Sequence, residues 1–115
     1  MSYVDGFVIP VRKDRLEEYR ASAELGAKVW MANGATAYVE CLADDAPYGE
    51  LTSFPRAVLA EEGETIVFSW IVYPDKATRD ACMRKVMADE RLQASSMPFD
   101  GKRMIFGGFE TFLER

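Results

Sequence analysis

Strand-like and helix-like segments alternate along the chain. Alternating apolar residues, rich in β-branched and aromatic types, predict four strands, over residues 3–11, 35–43, 65–73 and 103–113. Apolar residues at helical spacing predict one helix over residues 15–32 and a second from Asp75 to about Ala88. Asp14 is the predicted N-cap of the first helix, and Asn33-Gly34 is its predicted stop.

The connections between these elements differ in length. Residues 44–63 form a long connection, in which residues 56–60 are a candidate short strand; long loops are often functional. Residues 89–101 are predicted to be irregular. Gly107-Gly108 interrupts the last strand, and this pair is typical of a bulge or of a close approach of backbone.

The order strand, helix, strand, strand, helix, strand predicts one ferredoxin-like βαββαβ domain over residues 1–115, an α+β fold. Its two helices would cover one face of an antiparallel sheet. The third and last strands carry apolar residues on both sides, so the second sheet face would also be apolar. We therefore expect a homodimer that buries this face as a dimeric α+β barrel. The alternative is that the long loop folds over the sheet.

Composition and charge exclude several classes of function. The 115 residues include no histidine and carry a net charge of −5, so imidazole catalysis and His-ligated metal sites are excluded. No basic stripe is present, and a nucleic-acid partner is not expected. Neither a signal peptide nor a membrane-length apolar run is visible, which favours a cytoplasmic protein without a membrane partner. No cofactor motif or metal-ligand spacing is found, and both cysteines, Cys41 and Cys82, are predicted to be small buried hydrophobes.

Five polar side chains interrupt the apolar strands, and the first four of them are candidate ligand-binding residues. They are Asp5, Glu40, Ser69, Arg103 and Glu110. Because the first, third and fourth strands are neighbours in a ferredoxin-like sheet, Asp5, Ser69 and Arg103 would converge if the register permits. The Arg103 guanidinium suits Asp5, Glu40 or a ligand carboxylate. Trp70 is the candidate aromatic wall of such a pocket. The alternative for the polar residues is a structural ion pair. The alternative for Trp70 is a place in the apolar core.

Three segments of the sequence resemble a known family. They are Tyr3-Val-Asp-Gly-Phe-Val8, Val67-Phe-Ser-Trp-Ile-Val-Tyr-Pro74 and Ser96-Met-Pro-Phe-Asp-Gly-Lys-Arg-Met104 with Gly107-Gly-Phe-Glu110. They are similar to the YbaA-like family of uncharacterised bacterial proteins. The resemblance implies a dimeric α+β barrel and carries no catalytic residues.

Three functions remain open at this point. The first is a homodimeric module that binds a small, partly apolar molecule. The second is a cofactor-independent, monooxygenase-like enzyme that acts on an aromatic substrate, with a carboxylate or a tyrosine moving a proton. The third is association with RNA, which the acidic charge disfavours.

Overall fold

Four strands form one antiparallel sheet in the computed structural model, which describes residues 1–94 and 97–115. They are β1 (Tyr3–Arg12), β2 (Ala37–Leu42), β3 (Glu64–Tyr73) and β4 (Ile105–Glu110), in the spatial order β2-β3-β1-β4. The four predicted strands are confirmed, and the last one ends three residues earlier than expected. The central strands β1 and β3 pair over their full length, from Tyr3 opposite Tyr73 to Arg12 opposite Glu64.

The two long helices are confirmed as α1 (Leu16–Ala32) and α3 (Lys76–Met87). Asp75 caps α3, because its carboxylate accepts a 2.7 Å hydrogen bond from the Thr78 amide. The prediction that Asp14 caps α1 is wrong. A 3-10 turn, Lys13–Arg15, precedes α1, and the Asp14 carboxylate instead accepts a 3.2 Å hydrogen bond from Arg12. The helix stop is confirmed, since Asn33 is the C-cap and Gly34 follows with a φ of 118°.

Two short helices replace predicted irregular structure. The strand expected over residues 56–60 is wrong: α2 (Phe54–Ala57) forms there, and the Ser53 hydroxyl accepts a 3.2 Å hydrogen bond from the Arg56 amide at its start. Residues 89–101 contain α4 (Glu90–Ala94) and a single bridge between Phe99 and Val11. The part of that prediction that falls on residues 95–96 lies outside the described residues.

The glycine pair Gly107-Gly108 in β4 does not form a bulge. It leaves space for side chains that lie over the strand. Pairing with β1 continues without interruption, with Gly6 opposite Gly107 and Asp5 opposite Gly108. A Cβ atom at Gly108 would lie 2.5 Å from the Tyr3 hydroxyl and 2.8 Å from Nη2 of Arg79. A side chain at this position would therefore have to displace these two side chains, which lie directly over the β4 backbone.

The sheet buries one face against α1 and α3. Side chains from both helices and from β3 form the largest core cluster, which contains Val29, Ala35, Ile71, Tyr73, Cys82 and Val86. Cys82 is buried as predicted. No helix in the described part of the chain is long and apolar enough to cross a membrane.

The opposite face of the sheet, which we call the open face, is covered over only part of its area. Alternation places Val4, Val8, Phe68, Trp70 and Phe109 on it. The long connection covers the end near Val8, where Val58 packs in a small buried cluster. Elsewhere Phe68 remains 44% exposed and Phe109 64% exposed. The loop thus covers part of the open face and leaves the remainder uncovered.

Cys41 is exposed, so the prediction that it is buried is wrong. It lies near the end of the edge strand β2 and pairs in register with Phe68, on the open face. The two long helices pack on the other face of the sheet, which explains why an apolar strand residue is exposed here.

Candidate functional site

Asp5 is the most buried acidic side chain on the helix-covered face, and α3 supplies its partner. The Arg79 guanidinium donates to Oδ1 from Nε at 3.1 Å and from Nη2 at 2.9 Å. This pairing raises the pKa of the Arg79 guanidinium, because the hydrogen bonds to Asp5 favour its charged form. Asp5 is only 5% exposed, so its charge is held in a position that water scarcely reaches.

The Asp5 carboxylate also belongs to a hydrogen-bond chain that runs under the helices. The Tyr73 hydroxyl donates to Oδ2 of Asp5 at 2.9 Å and accepts from Nε1 of Trp30 at 3.1 Å. Burial, and then the hydrogen bond to Asp5, raises the pKa of Tyr73 above its usual value. The chain therefore joins α1, β3, β1 and α3 through groups that all have partners, which indicates a structural role.

Glu40 belongs to a second polar cluster on the same face. Its carboxylate accepts a 2.8 Å hydrogen bond from the Tyr38 hydroxyl and another from the Tyr19 hydroxyl of α1. Burial is the largest cause that raises the pKa of both tyrosines, and the negative Glu40 adds to it. Both phenols are therefore protonated at neutral pH and act as hydrogen-bond donors, not as phenolate bases.

Ser69 and Trp70 point to opposite sides of the sheet. Ser69 is 5% exposed and pairs in register with Glu40 and Phe7, on the helix-covered face. Trp70 lies on the open face, where its ring is 5.5 Å from that of Phe68. The candidate aromatic wall thus lies on the far side of the sheet from the candidate carboxylates.

Arg103 does not meet Asp5 or Glu40. It forms a bidentate pair with Glu64, with both N–O distances at 2.7 Å, and it also donates to Asp100 at 3.0 Å. The Glu64 hydrogen bond raises the pKa of Arg103, and the same bond lowers the pKa of Glu64. In the sheet, Glu64 of β3 lies opposite Arg12 of β1. Arg12 is seven residues from Asp5 along β1, a distance of about 23 Å at 3.3 Å per residue. The expected convergence of Asp5, Ser69 and Arg103 is therefore absent.

Arg103 instead fixes the end of the long connection. Its Nη1 donates to the Leu59 carbonyl at 3.1 Å. Leu59 has a φ of 52°, a left-handed conformation that a leucine adopts only when its surroundings impose it. Because Val58 precedes it, this contact helps to seat Val58 on the open face. Glu110, the remaining polar strand residue, is exposed at the end of β4.

A shallow apolar pocket lies where the long connection meets the open face. Its volume is about 190 Å³, and its lining includes Cys41, Phe54, Ile66 and Phe68. The rings of Phe54 and Phe68 meet edge to face at 5.8 Å. Two carboxylates, Asp44 and Asp45, also line it and give it a polar side. The candidate carboxylates from the sequence, Asp5 and Glu40, lie on the other face, and sequence reasoning missed this pocket.

The loop that forms the pocket is held by its own contacts. The Arg56 guanidinium lies 3.8 Å from the ring centre of Tyr48 and donates to the Tyr48 and Gly49 carbonyls at 2.9 and 3.0 Å. These contacts tie the first half of the connection to α2 and so position Phe54. Within the described residues, no group of three or more Cys, Asp or Glu side chains is arranged to hold a metal ion.

The family of the chain follows from its similarity to other proteins. A family described as "Protein of unknown function (DUF1428)" matches residues 2–101. The chain belongs to this family. It is 51% identical over 116 residues to the "Uncharacterized protein YbaA" of Escherichia coli strain K12, with 99% of each chain covered. A YbaA of Shigella flexneri matches equally well. The resemblance to YbaA-like proteins is therefore confirmed.

Solved structures support the fold. The chain superposes on "Structure of Rv0793 from Mycobacterium tuberculosis" with a TM-score of 0.62 and 13% identity, over 99% of this chain and 98% of the other. It also superposes on the "De novo designed protein Foldit4" with a TM-score of 0.50 and 12% identity. At these identities the likeness concerns the α+β fold alone.

Proposed function

We propose that this protein is a homodimeric module that binds a small, partly apolar molecule, with two ferredoxin-like sheets facing each other as a dimeric α+β barrel. The observation that carries the proposal is the uncovered part of the open face. At roughly 200 Å² per aromatic side chain, Phe68 and Phe109 together expose on the order of 200 Å² there. Ile105 extends the patch and is 45% exposed. An apolar sheet face that neither α1 nor α3 covers supports an interaction site there.

The pocket on the open face supports the ligand part of the proposal. Its apolar lining, with Phe54 and Phe68 in edge-to-face contact, suits a flat hydrophobic group. The carboxylates of Asp44 and Asp45 suit a hydrogen-bond donor on the same ligand. By contrast, the helix-face clusters around Asp5 and Glu40 already satisfy their own polar groups.

Light scattering tests the dimer. We expect a particle of twice the 13.0 kDa chain mass at micromolar concentration, because the exposed apolar area is buried between two copies. Alkylation of the exposed Cys41 would slow as the protein concentration rises, while the buried Cys82 stays unreactive throughout. A mass of 13.0 kDa with an alkylation rate that does not depend on concentration contradicts the dimer.

Ligand binding is tested separately by NMR titration of ¹⁵N-labelled protein with benzyl alcohol, a small molecule with one aromatic ring and one hydroxyl. Saturable shifts are expected at the residues that line the pocket. Phe68→Ala would abolish them. Phe106→Ala is the matched control, since Phe106 is 70% exposed and lies on the other face of the sheet. Shifts that are absent, or that survive Phe68→Ala, rule out this pocket as the site.

A further inference from the structure

The pocket on the open face lacks a wall. Its volume of about 190 Å³ is below the range of about 300–1,000 Å³ that is typical of small-molecule sites. Its lining comes from β2, the first residues of the long connection, α2 and the first half of β3, and the rest of its rim is open. In the proposed dimer the missing wall has to come from the other copy, which faces it.

The segment that follows β4, residues 111–113, carries two largely exposed apolar side chains. Phe112 is 90% exposed and Leu113 is 68% exposed. The start of the segment is anchored, because the Thr111 amide donates to the Ser2 carbonyl at 3.0 Å and the hydroxyls of Ser2 and Thr111 are 2.8 Å apart. An anchored segment that ends in two exposed hydrophobic side chains is suited to contact another surface.

The pocket and this segment lie at diagonally opposite corners of the sheet. Residues 111–113 leave the edge strand β4 beside Tyr3, at the end of the sheet where β3 finishes. The pocket lies at the other edge strand, β2, beside Cys41, where β3 begins. The pocket and the segment therefore lie at opposite edges of the sheet and at opposite ends of its strands.

A twofold axis can bring these corners together. When two sheets face each other with their strands crossing near a right angle, the in-plane twofold axis lies diagonal to the strands. The two corners on that diagonal face their own copies, and each of the two corners off it faces the opposite corner of the other sheet, so the pocket and the segment meet when the axis runs along the other diagonal. Such an interface is isologous, so that one segment–pocket contact implies a second, identical one. Orthogonal packing is an established arrangement for two sheets.

From this placement we infer that Phe112 and Leu113 of one copy form the missing wall of the pocket of the other copy. The inference rests on the proposed dimer and goes beyond it, because each binding site is then built from both chains. The area of the proposed interface also fits. When Phe54, Phe112 and Leu113 are added to the exposed side chains of the open face, the exposed apolar area is roughly 600 Å² per copy. A standard interface buries roughly 800 Å² per partner.

Disulfide trapping tests this contact, since Cys41 lines the pocket. Phe112→Cys and Leu113→Cys are each incubated with oxidised glutathione, which takes up the two electrons released when two thiols join. At least one variant is expected to run as a covalent dimer on a non-reducing gel. Adding Cys41→Ser would abolish the product. Met87→Cys is the control for an exposed thiol elsewhere, since Met87 is 68% exposed on α3, and it should give no dimer.

A second measurement does not depend on a new thiol. Phe112→Ser is expected to raise the dissociation constant of the dimer at least tenfold and to weaken benzyl alcohol binding, while Phe106→Ser changes neither. The inference is overturned if both cysteine variants scatter light as dimers but form no bond to Cys41. In that case the proposed dimer stands without this contact, whereas monomeric cysteine variants and a monomeric parent chain overturn both.

Discussion

Replacing Arg79 by methionine would show how far the fold depends on the buried Asp5 pair. Methionine keeps much of the length of the arginine side chain and removes all of its hydrogen-bond donors. The Asp5 carboxylate would then keep the Tyr73 hydroxyl as its donor at 2.9 Å, and it would have no cation in place of the one now at 2.9 Å. At 5% exposure, water does not replace the lost partner.

The expected cost follows from the burial of both partners. Removing one member of a buried pair costs about 3–5 kcal/mol, because the other charge is left uncompensated. The Arg79 side chain is 24% exposed, so we expect the lower end, about 3 kcal/mol. That is a large part of the about 5–15 kcal/mol by which a domain is typically stable. Asp5→Asn combined with Arg79→Met would be more stable than Arg79→Met alone, since the remaining side chain is then neutral.

Urea unfolding at pH 7 and one fixed protein concentration measures these differences. At an m-value near 1.5 kcal/mol/M, a loss of about 3 kcal/mol lowers the midpoint by about 2 M. Arg91→Met is the control, because the Arg91 side chain is 59% exposed and its partner Asp89, at 18% exposure, also accepts a hydrogen bond from the Arg91 amide; its midpoint should stay close to that of the parent. An Arg79→Met midpoint within 0.3 M of the parent, or a double variant no more stable than the single one, would refute this reasoning.

Three further changes test other contacts. Gly108→Ala is expected to cost about 1–3 kcal/mol in thermal or urea unfolding, because its Cβ would fall 2.5 Å from the Tyr3 hydroxyl. Gly107→Ala meets only the Phe109 ring at 3.5 Å and should be tolerated; equal losses at the two glycines would contradict the steric argument. Tyr73→Phe removes the hydroxyl that joins Trp30 to Asp5 and should cost about 1–3 kcal/mol, whereas Tyr48→Phe, at a residue 59% exposed, should not change the midpoint. Glu64 has a pKa held below its ordinary 4.5 by the Arg103 hydrogen bond, so the stability difference between parent and Glu64→Gln should be full at pH 7 and shrink as the pH falls below 4.5 through the lowered value. A difference that is the same at pH 7 and pH 3 would argue against the ion pair as its source.

Alternation and helical spacing were sufficient to predict the four strands and the two long helices. These patterns show which side of each element is buried. Elements such as β3 and α1 bury one side in every packed domain, so their patterns can be read without knowing the tertiary structure. The wrong N-cap at Asp14 shows the limit of local rules. The side chain has the correct chemistry for a cap, but Arg12, two residues earlier, offers it a charged donor at 3.2 Å.

The candidate site was harder to predict, because polar partners are chosen by tertiary distance. Arg103 and Arg79 have the same side chain, and nothing local shows that Arg103 binds Glu64 while Arg79 binds Asp5. One signal for Arg79 does exist. Gly108 pairs with Asp5 in the register, and a glycine beside a buried carboxylate leaves the space in which a guanidinium can lie. The pocket escaped prediction because it depends on where Val58 and Phe54 of the long connection come to rest.

The placement of α2 on the open face has a consequence for how two copies can meet. Two uniformly flat apolar sheets can slide past each other, since one hydrophobic contact replaces another at little cost. Here Phe54 and Val58 rise above the sheet plane at one end only, while Phe109 at the other end has no such cover. In the proposed dimer, the resulting step would limit sliding of the two sheets in one direction, and each copy would turn its raised end away from that of the other. The relief of this face would therefore favour a single orientation and a closed pair.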